Sequence, residues 1–242
     1  MANAIPETLM HSLSGRIHLL IVEDDETLLS ALEGIFSGPS MTMTLATTIN
    51  EARNAIAVRG NTWHCWIIDL CLGGKKNAGM ALIEEHNDFP FAIVYSGIGS
   101  MESASHAIQM GAEAVIDKGG GSIAKLIREV CEVAPLAMLC KGKISKNKEV
   151  LFLLKSNLIR LPKDWAEMSG MSLRQIENIS LMHTGMQPSF VIPFYYGLRS
   201  LLEADISGKE PAAKKEELAF YKNCVDFLQK NLPIYQKVLF RQ

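Results

Sequence analysis

Five short, nearly continuous apolar runs recur before residue 117, each followed by an amphipathic stretch. The runs lie near residues 17–22, 41–46, 63–68, 91–95 and 114–116. Segments such as Ile17-His18-Leu19-Leu20-Ile21-Val22 and Trp66-Ile67-Ile68 do not alternate apolar with polar residues. A strand with one wet face must alternate, so these strands are expected to be covered on both sides. The stretches between them, near 26–37, 48–59, 78–87 and 100–110, read as helices, with a last one at 122–133. In the first, Leu28, Leu29, Leu32, Ile35 and Phe36 recur at helical spacing until Gly38-Pro39 stops the pattern. Ile123, Leu126, Ile127 and Val130 do the same in the last. Buried strands joined by crossover helices predict an α/β domain, a doubly wound five-stranded parallel sheet.

Beyond residue 134 the alternation ends and only helical patterns remain, near 147–157, 162–169, 172–183, 188–204 and 213–230, with a tail from Pro233. Pro135 and the basic stretch Lys141-Gly142-Lys143 to Lys148 mark a boundary. The expected organisation is a domain over 16–134, a linker over 135–148, and an all-α domain over 149–242. With 48% hydrophobic and 21% charged residues, extensive disorder is excluded. Every apolar stretch falls short of a bilayer span, so no membrane segment is expected. The first sixteen residues lack the basic start and apolar core of a leader, which leads to the expectation of a short extension on a cytoplasmic protein. Five cysteines without metal-ligand spacing suggest buried thiols rather than zinc or disulfides. Charge divides unevenly: residues 1–140 hold 8 Lys+Arg against 16 Asp+Glu, whereas residues 141–242 hold 16 against 10. An acidic module thus joins one suited to an anionic partner.

The chemistry lies where the apolar runs end. Glu23-Asp24-Asp25-Glu26 follows the first run, Asp69 the third, Ser96 the fourth and Lys118 the fifth. Open α/β sheets bind their ligands outside the C-terminal ends of the strands. Acids, a hydroxyl and an amine gathered there make a site for a divalent metal and a phosphoryl group. Each residue alone has an ordinary reading as a helix cap, a turn residue or a surface lysine. Their coincidence at one edge of one sheet carries the argument.

The pieces LLIVEDDE (19–26), WIIDLCLGG (66–74), AIVYSG (92–97) and GAEAVIDKGG (111–120) occur in an order and at separations that make residues 16–133 resemble a known family. It is the receiver (CheY-like) domain of two-component response regulators, with a flavodoxin-like fold. The resemblance implies that Asp69 is a phosphoacceptor modified by a sensor histidine kinase, with Lys118 and Ser96 handling the phosphoryl group. It also implies Mg2+ as cofactor, held by Glu23, Asp24, Asp69 and the backbone carbonyl of Cys71. Asp25 is expected to start a helix. Such a domain catalyses its own phosphorylation and is not otherwise an enzyme. Two positions depart from the family. Val115 stands where an aromatic residue is common, three residues before the lysine, and Gly119-Gly120-Gly121 follows the lysine where many members have proline. Tyr95, beside Ser96, is either a substitute for the missing aromatic or a packing residue.

In the second half, Ala166, Gly170 and Ile176 fall at the fifth, ninth and fifteenth places of a helix-turn-helix over 162–183. A small residue lets two helices approach, a glycine permits the left-handed turn, and an apolar residue fills the gap. Ser172 suits the N-cap of the second helix. The segment resembles the DNA-binding helix-turn-helix of bacterial regulators. The stretch C-terminal to it, with Arg199, is similar to half of an arabinose-regulator-type domain. The resemblance implies a helix over 172–183 in the major groove, with Arg174, Gln175 and Asn178 at base edges and Lys163 and Lys155 at phosphates. Glu177 and the single arginine weigh against DNA. The alternative is a signalling adaptor whose helical domain grips a protein. Trp165, Phe190, Tyr195 and Tyr196 are expected in the core. Leu218, Tyr221, Val225 and Leu228 either pack on the bundle or form a phosphorylation-dependent homodimer contact. The expected whole is a transcription regulator switched at Asp69.

Overall fold

A computed structural model describes residues 17–59, 63–89, 91–97, 101–140, 148–156, 159–207 and 215–239. The first sixteen residues and the basic stretch 141–147 of the expected linker lie outside the described residues. Five parallel strands form one sheet: β1 (Ile17–Val22), β2 (Met41–Ala46), β3 (Cys65–Ile68), β4 (Ala92–Ser96) and β5 (Ala114–Asp117). Their order, β2-β1-β3-β4-β5, is that of the flavodoxin-like doubly wound fold. The crossover helices are α1 (Glu26–Ile35), α2 (Ile49–Arg59), α3 (Met80–Glu85), α4 (Met101–Gln109) and α5 (Ser122–Leu139). β3 and β4 are buried along their whole length, whereas β2 and β5, at the edges, are partly exposed. This is the division that unbroken apolar runs require.

Register sets the strand ends level. Val22 pairs with Ile68, which pairs with Val94, and Ser96 pairs with Asp117. The residues just past these ends therefore emerge side by side. Asp25 caps α1 as expected, its carboxylate accepting from the amides of Thr27 at 2.9 Å and Leu28 at 3.1 Å. That satisfies two of the four donors a helix start leaves unpaired.

The rest of the chain is helical: α6 (Lys148–Phe152) with a 3-10 turn (Leu153–Ser156), α7 (Pro162–Ser169), α8 (Leu173–Thr184), α9 (Pro188–Ser207) and α10 (Lys215–Leu239). Two expectations need correction. Helix α5 continues through Pro135 to Leu139, where a linker was expected, and α10 continues past Pro233, where a tail was expected. An interior proline costs a helix about 3 kcal/mol. In α5 that cost is offset by packing, because every residue from Val133 to Leu139 is buried. Each fully buried Val, Leu or Met side chain contributes about 1.5–3 kcal/mol. All five thiols are free; Cys65, Cys131, Cys140 and Cys224 are buried and Cys71 is exposed.

The two halves share one apolar core, and polar contacts tie them together. Arg199 on α9 pairs with Glu132 on α5 at 2.9 Å, and the Tyr195 hydroxyl donates to the Glu132 carbonyl at 3.2 Å. Lys155 reaches Glu113 at 2.8 Å and also pairs with Glu129. The Asp205 carboxylate accepts from the Ser40 amide at 3.1 Å. Phe152 stacks on Phe91, with ring centroids 6.0 Å apart. Ser40 and Phe91 directly precede β2 and β4, and Glu113 precedes β5. The helical half therefore docks at the N-terminal edge of the sheet, the end opposite Asp69.

Candidate functional site

Four strand ends bring Glu23, Asp24, Asp69, Ser96 and Lys118 together. Backbone pairing places them: the Glu23 amide donates to the Ala46 carbonyl, that of Asp69 to Val22 at 2.9 Å, and that of Lys118 to Ser96 at 3.2 Å. The Lys118 ammonium bridges Asp69 Oδ2 at 2.5 Å and Glu23 Oε2 at 2.6 Å. Asp69 Oδ1 accepts from the Ser96 hydroxyl and from the Cys71 amide, the latter at 2.9 Å. Asp24 is exposed, and its Oδ2 accepts from the Gly73 amide at 2.8 Å. Asp69 itself is only 5% exposed. Its partners are nevertheless the donors that a phosphoryl group on this carboxylate would need, so they can move from carboxylate oxygen to phosphoryl oxygen. The structure also places residues the sequence did not mark. The Gly79 amide donates to the Leu70 carbonyl at 3.1 Å, and a Cβ at Gly79 would lie 2.0 Å from the Asp69 carbonyl oxygen. Only a glycine lets the loop close behind Asp69. Nothing in the local sequence distinguishes it from other loop glycines.

The charges leave room for a cation. Glu23, Asp24 and Asp69 each offer a carboxylate oxygen, all within 4.8 Å of one another. Lys118 is the ammonium among them. Burial pushes the Glu23 carboxyl above its ordinary value, with Lys118 pulling the other way without restoring it. Burial also works against the charge of Lys118, but hydrogen bonds to Asp69 and Glu23 outweigh it and hold the ammonium above its usual range. A hard oxygen donor set with uncompensated negative charge fits Mg2+, which takes carboxylates and carbonyls and keeps waters. The structure joins Cys71 to Asp69 through its amide, and the Cys71 residue is exposed to solvent.

Tyr95, left open between two roles, is 3% exposed, and its hydroxyl lies 2.9 Å from the Ser122 hydroxyl on α5. The Lys118 Nζ is 5.9 Å from the Tyr95 ring centroid.

In the second half, α7 and α8 meet across Gly170, which has φ +67°. Ala166 and Ile176 are buried between them. Ser172 caps α8 and receives the Gln175 amide at 3.3 Å, while Gln175 Oε1 accepts from the Ser172 amide and hydroxyl at 2.9 Å each. The Gln175 carboxamide oxygen is therefore engaged in the cap. Arg174, Asn178 and Lys163 are exposed. Lys155 requires correction: held between Glu113 and Glu129, its side chain is 17% exposed and is unsuited to phosphate contact. Trp165, Tyr195 and Tyr196 are core residues, and Phe190 packs against the core. Among the described residues, no helix is long and apolar enough to cross a membrane.

No family model matches the chain. Over 125 residues it is 28% identical to a protein of Rickettsia bellii (strain RML369-C) described as an NtrX-like response regulator. That match covers 50% of this chain and 26% of the relative, so the chain spans about a quarter of the length of the curated relative it matches. Among solved structures, the non-phosphorylated HemR receiver domain from Leptospira biflexa aligns with 49% of this chain and 94% of its own, at 24% identity and TM-score 0.43. The receiver domain of NtrX from Brucella abortus aligns with 46% of this chain and 97% of its own, at 28% identity and TM-score 0.40. Strand order, the residues gathered at the strand ends and the sequence match define the N-terminal half as a receiver (CheY-like) domain of the response-regulator class. Within that class, its sequence relative is NtrX-like.

Proposed function

We propose that the protein is a two-component response regulator in which a sensor histidine kinase phosphorylates Asp69 and the helical half delivers the output to double-stranded DNA. The observation that carries this reading is the convergence of Glu23, Asp24, Asp69, Ser96 and Lys118 at four strand ends. In the proposed step an Asp69 oxygen attacks phosphorus, the P–N bond to the kinase histidine breaks, and the leaving imidazole takes up a proton. Lys118 turns from the Asp69 oxygen to a phosphoryl oxygen, keeping its charge as it moves. Ser96 Oγ redirects its hydrogen bond in the same way. Glu23, Asp24, Asp69 and the Cys71 carbonyl would hold Mg2+, which when bound offsets the charge of the transferring group. The protein then acts on no substrate other than its own aspartate.

The test is acetyl phosphate with magnesium, read by intact mass. The native chain should gain one phosphoryl group and Asp69→Asn none. Equal labelling of both, or of neither, would sink the phosphoacceptor reading.

For the output, the turn at Gly170 and the exposure of Arg174 and Asn178 on α8 support DNA, with Lys163 as a phosphate contact. A second reading, an adaptor that grips a protein, is favoured by a specific observation. Leu173, Leu181 and Met182 are 49%, 41% and 65% exposed on α8, beside Glu177. DNA interfaces are strongly positive, whereas exposed apolar side chains suit a protein partner. Binding to mixed-sequence duplex as salt rises separates them: a steep loss of affinity supports DNA, and no binding at low salt supports the adaptor.

A further inference from the structure

Between the phosphoacceptor pocket and the helical half lies a buried hydrogen bond for which the pocket chemistry has no use. Tyr95 Oη and Ser122 Oγ are 2.9 Å apart, and both residues are buried. Tyr95 immediately precedes Ser96, which binds Asp69, and its ring faces the Lys118 ammonium at 5.9 Å. It therefore touches or adjoins both side chains that would follow an incoming phosphoryl group. Ser122 is the first residue of α5, and its amide donates to the Gly119 carbonyl at 3.1 Å, in the loop that carries Lys118.

Helix α5 does not end at the receiver boundary. Its single run of 18 residues takes in Leu126 and Val130 and then the fully buried stretch Val133 to Leu139. On that far half, Glu132 holds Arg199 and the Tyr195 hydroxyl of α9, and Glu129 holds Lys155. A helix packed on both sides moves as a unit, because close-packed interiors transmit displacement rather than absorb it. Val115, on β5, is partly exposed and has no polar atom with which to make a comparable link.

We infer that Tyr95 is a positioning residue which, through its hydrogen bond to Ser122, couples phosphorylation of Asp69 to α5 and through α5 to α9. This rests on the reading of Asp69 as the phosphoacceptor. A phosphoryl group adds a charge of about −1.5 to −2. Lys118 and Ser96 re-aim toward it, Tyr95 moves with its neighbours, and the tether carries the shift to the first turn of α5. The output half is then reached through packed helices alone.

The experiment is hydrogen exchange on the full chain with and without acetyl phosphate and magnesium, with the labelled fraction of each sample read by intact mass. Four proteins are compared: native, Tyr95→Phe, Ser122→Ala and Ser122→Thr. Phosphorylation of the native chain should change exchange in residues 122–132 and 188–207. Tyr95→Phe keeps the ring, and Ser122→Ala keeps the helix. Both should be labelled like the native chain and lose the change beyond residue 121. Ser122→Thr restores a hydroxyl and should restore the change, which a merely structural role for the serine would not predict. An undiminished response in labelled Tyr95→Phe overturns the inference, as does a labelled native chain with no change beyond residue 121. A native chain that takes no label overturns the phosphoacceptor reading instead, and the coupling falls with it.

Discussion

Replacing Arg199 with methionine removes a charge from the seam between the two halves while keeping much of the side-chain volume. The guanidinium side chain is 7% exposed and pairs with Glu132 (12%) at 2.9 Å and with Glu203 (20%) at 2.8 Å. Removing one partner of a buried pair costs about 3–5 kcal/mol, because the other charge is left without compensation. Glu203 has a route to water, so Glu132 bears most of the loss, and the lower end of that range, about 3 kcal/mol, is expected at neutral pH. For a chain of this size that is roughly 6–12 °C in melting temperature. The pH dependence comes from the Glu132 carboxyl. Burial already pushes it above its ordinary value against the pull of Arg199, and without Arg199 it rises further. A carboxyl raised in the folded state binds its proton more tightly there than in the unfolded chain. The penalty is therefore small below the ordinary carboxyl range and grows as pH rises through the folded-state value. Urea unfolding followed by tryptophan fluorescence, at neutral pH and below 4.5, measures both quantities. The double variant with Glu132→Gln should cost less than the sum of the single changes, by about 1–2 kcal/mol. A neutral-pH penalty under about 1 kcal/mol would refute the claim that this pair is sealed in the seam. So would a penalty independent of pH.

Two further outcomes are set by geometry. His64 Nδ1 accepts from the His18 amide at 3.0 Å, and burial, with Arg59 nearby, holds its pKa down at about 4. A depressed histidine contributes stability that is complete above its unfolded value of 6.5 and is lost as pH falls toward about 4. The native chain should lose up to about 3 kcal/mol over that window, and His64→Asn should flatten the stability profile; equal slopes would contradict the assignment. Gly79→Ala should slow acetyl phosphate labelling of Asp69 by about tenfold or more, because its Cβ would fall 2.0 Å from the Asp69 carbonyl oxygen. Gly34→Ala, which meets nothing within 4 Å, is the control. Matching labelling rates in the two variants would dismiss a role for the tight loop.

The sheet and its site edge were readable in the sequence because both are recorded locally. An unbroken run such as Trp66-Ile67-Ile68 specifies a strand covered on both faces, and parallel topology sends every strand end to the same edge. The residue after each run is thereby placed with its counterparts, without any knowledge of side-chain geometry. That was enough to bring Glu23, Asp69, Ser96 and Lys118 together. At Ala166, Gly170 and Ile176 only local geometry was readable, a left-handed turn at the glycine with a buried residue on either side, since that turn needs a particular residue at a fixed offset.

What tertiary structure decided involves partners distant in sequence. Pro135 reads as a helix breaker until its neighbours are seen buried between the sheet and α9, where packing outweighs a lost hydrogen bond. Lys155 reads as a phosphate contact, yet Glu113 and Glu129, 42 and 26 residues away, draw it into the seam. The Tyr95–Ser122 tether spans 27 residues, and neither residue announces the other. Local pattern fixes which face of an element is apolar. Which charge or hydroxyl meets it across the core depends on how the packed elements settle, and adjacent residues carry no record of that.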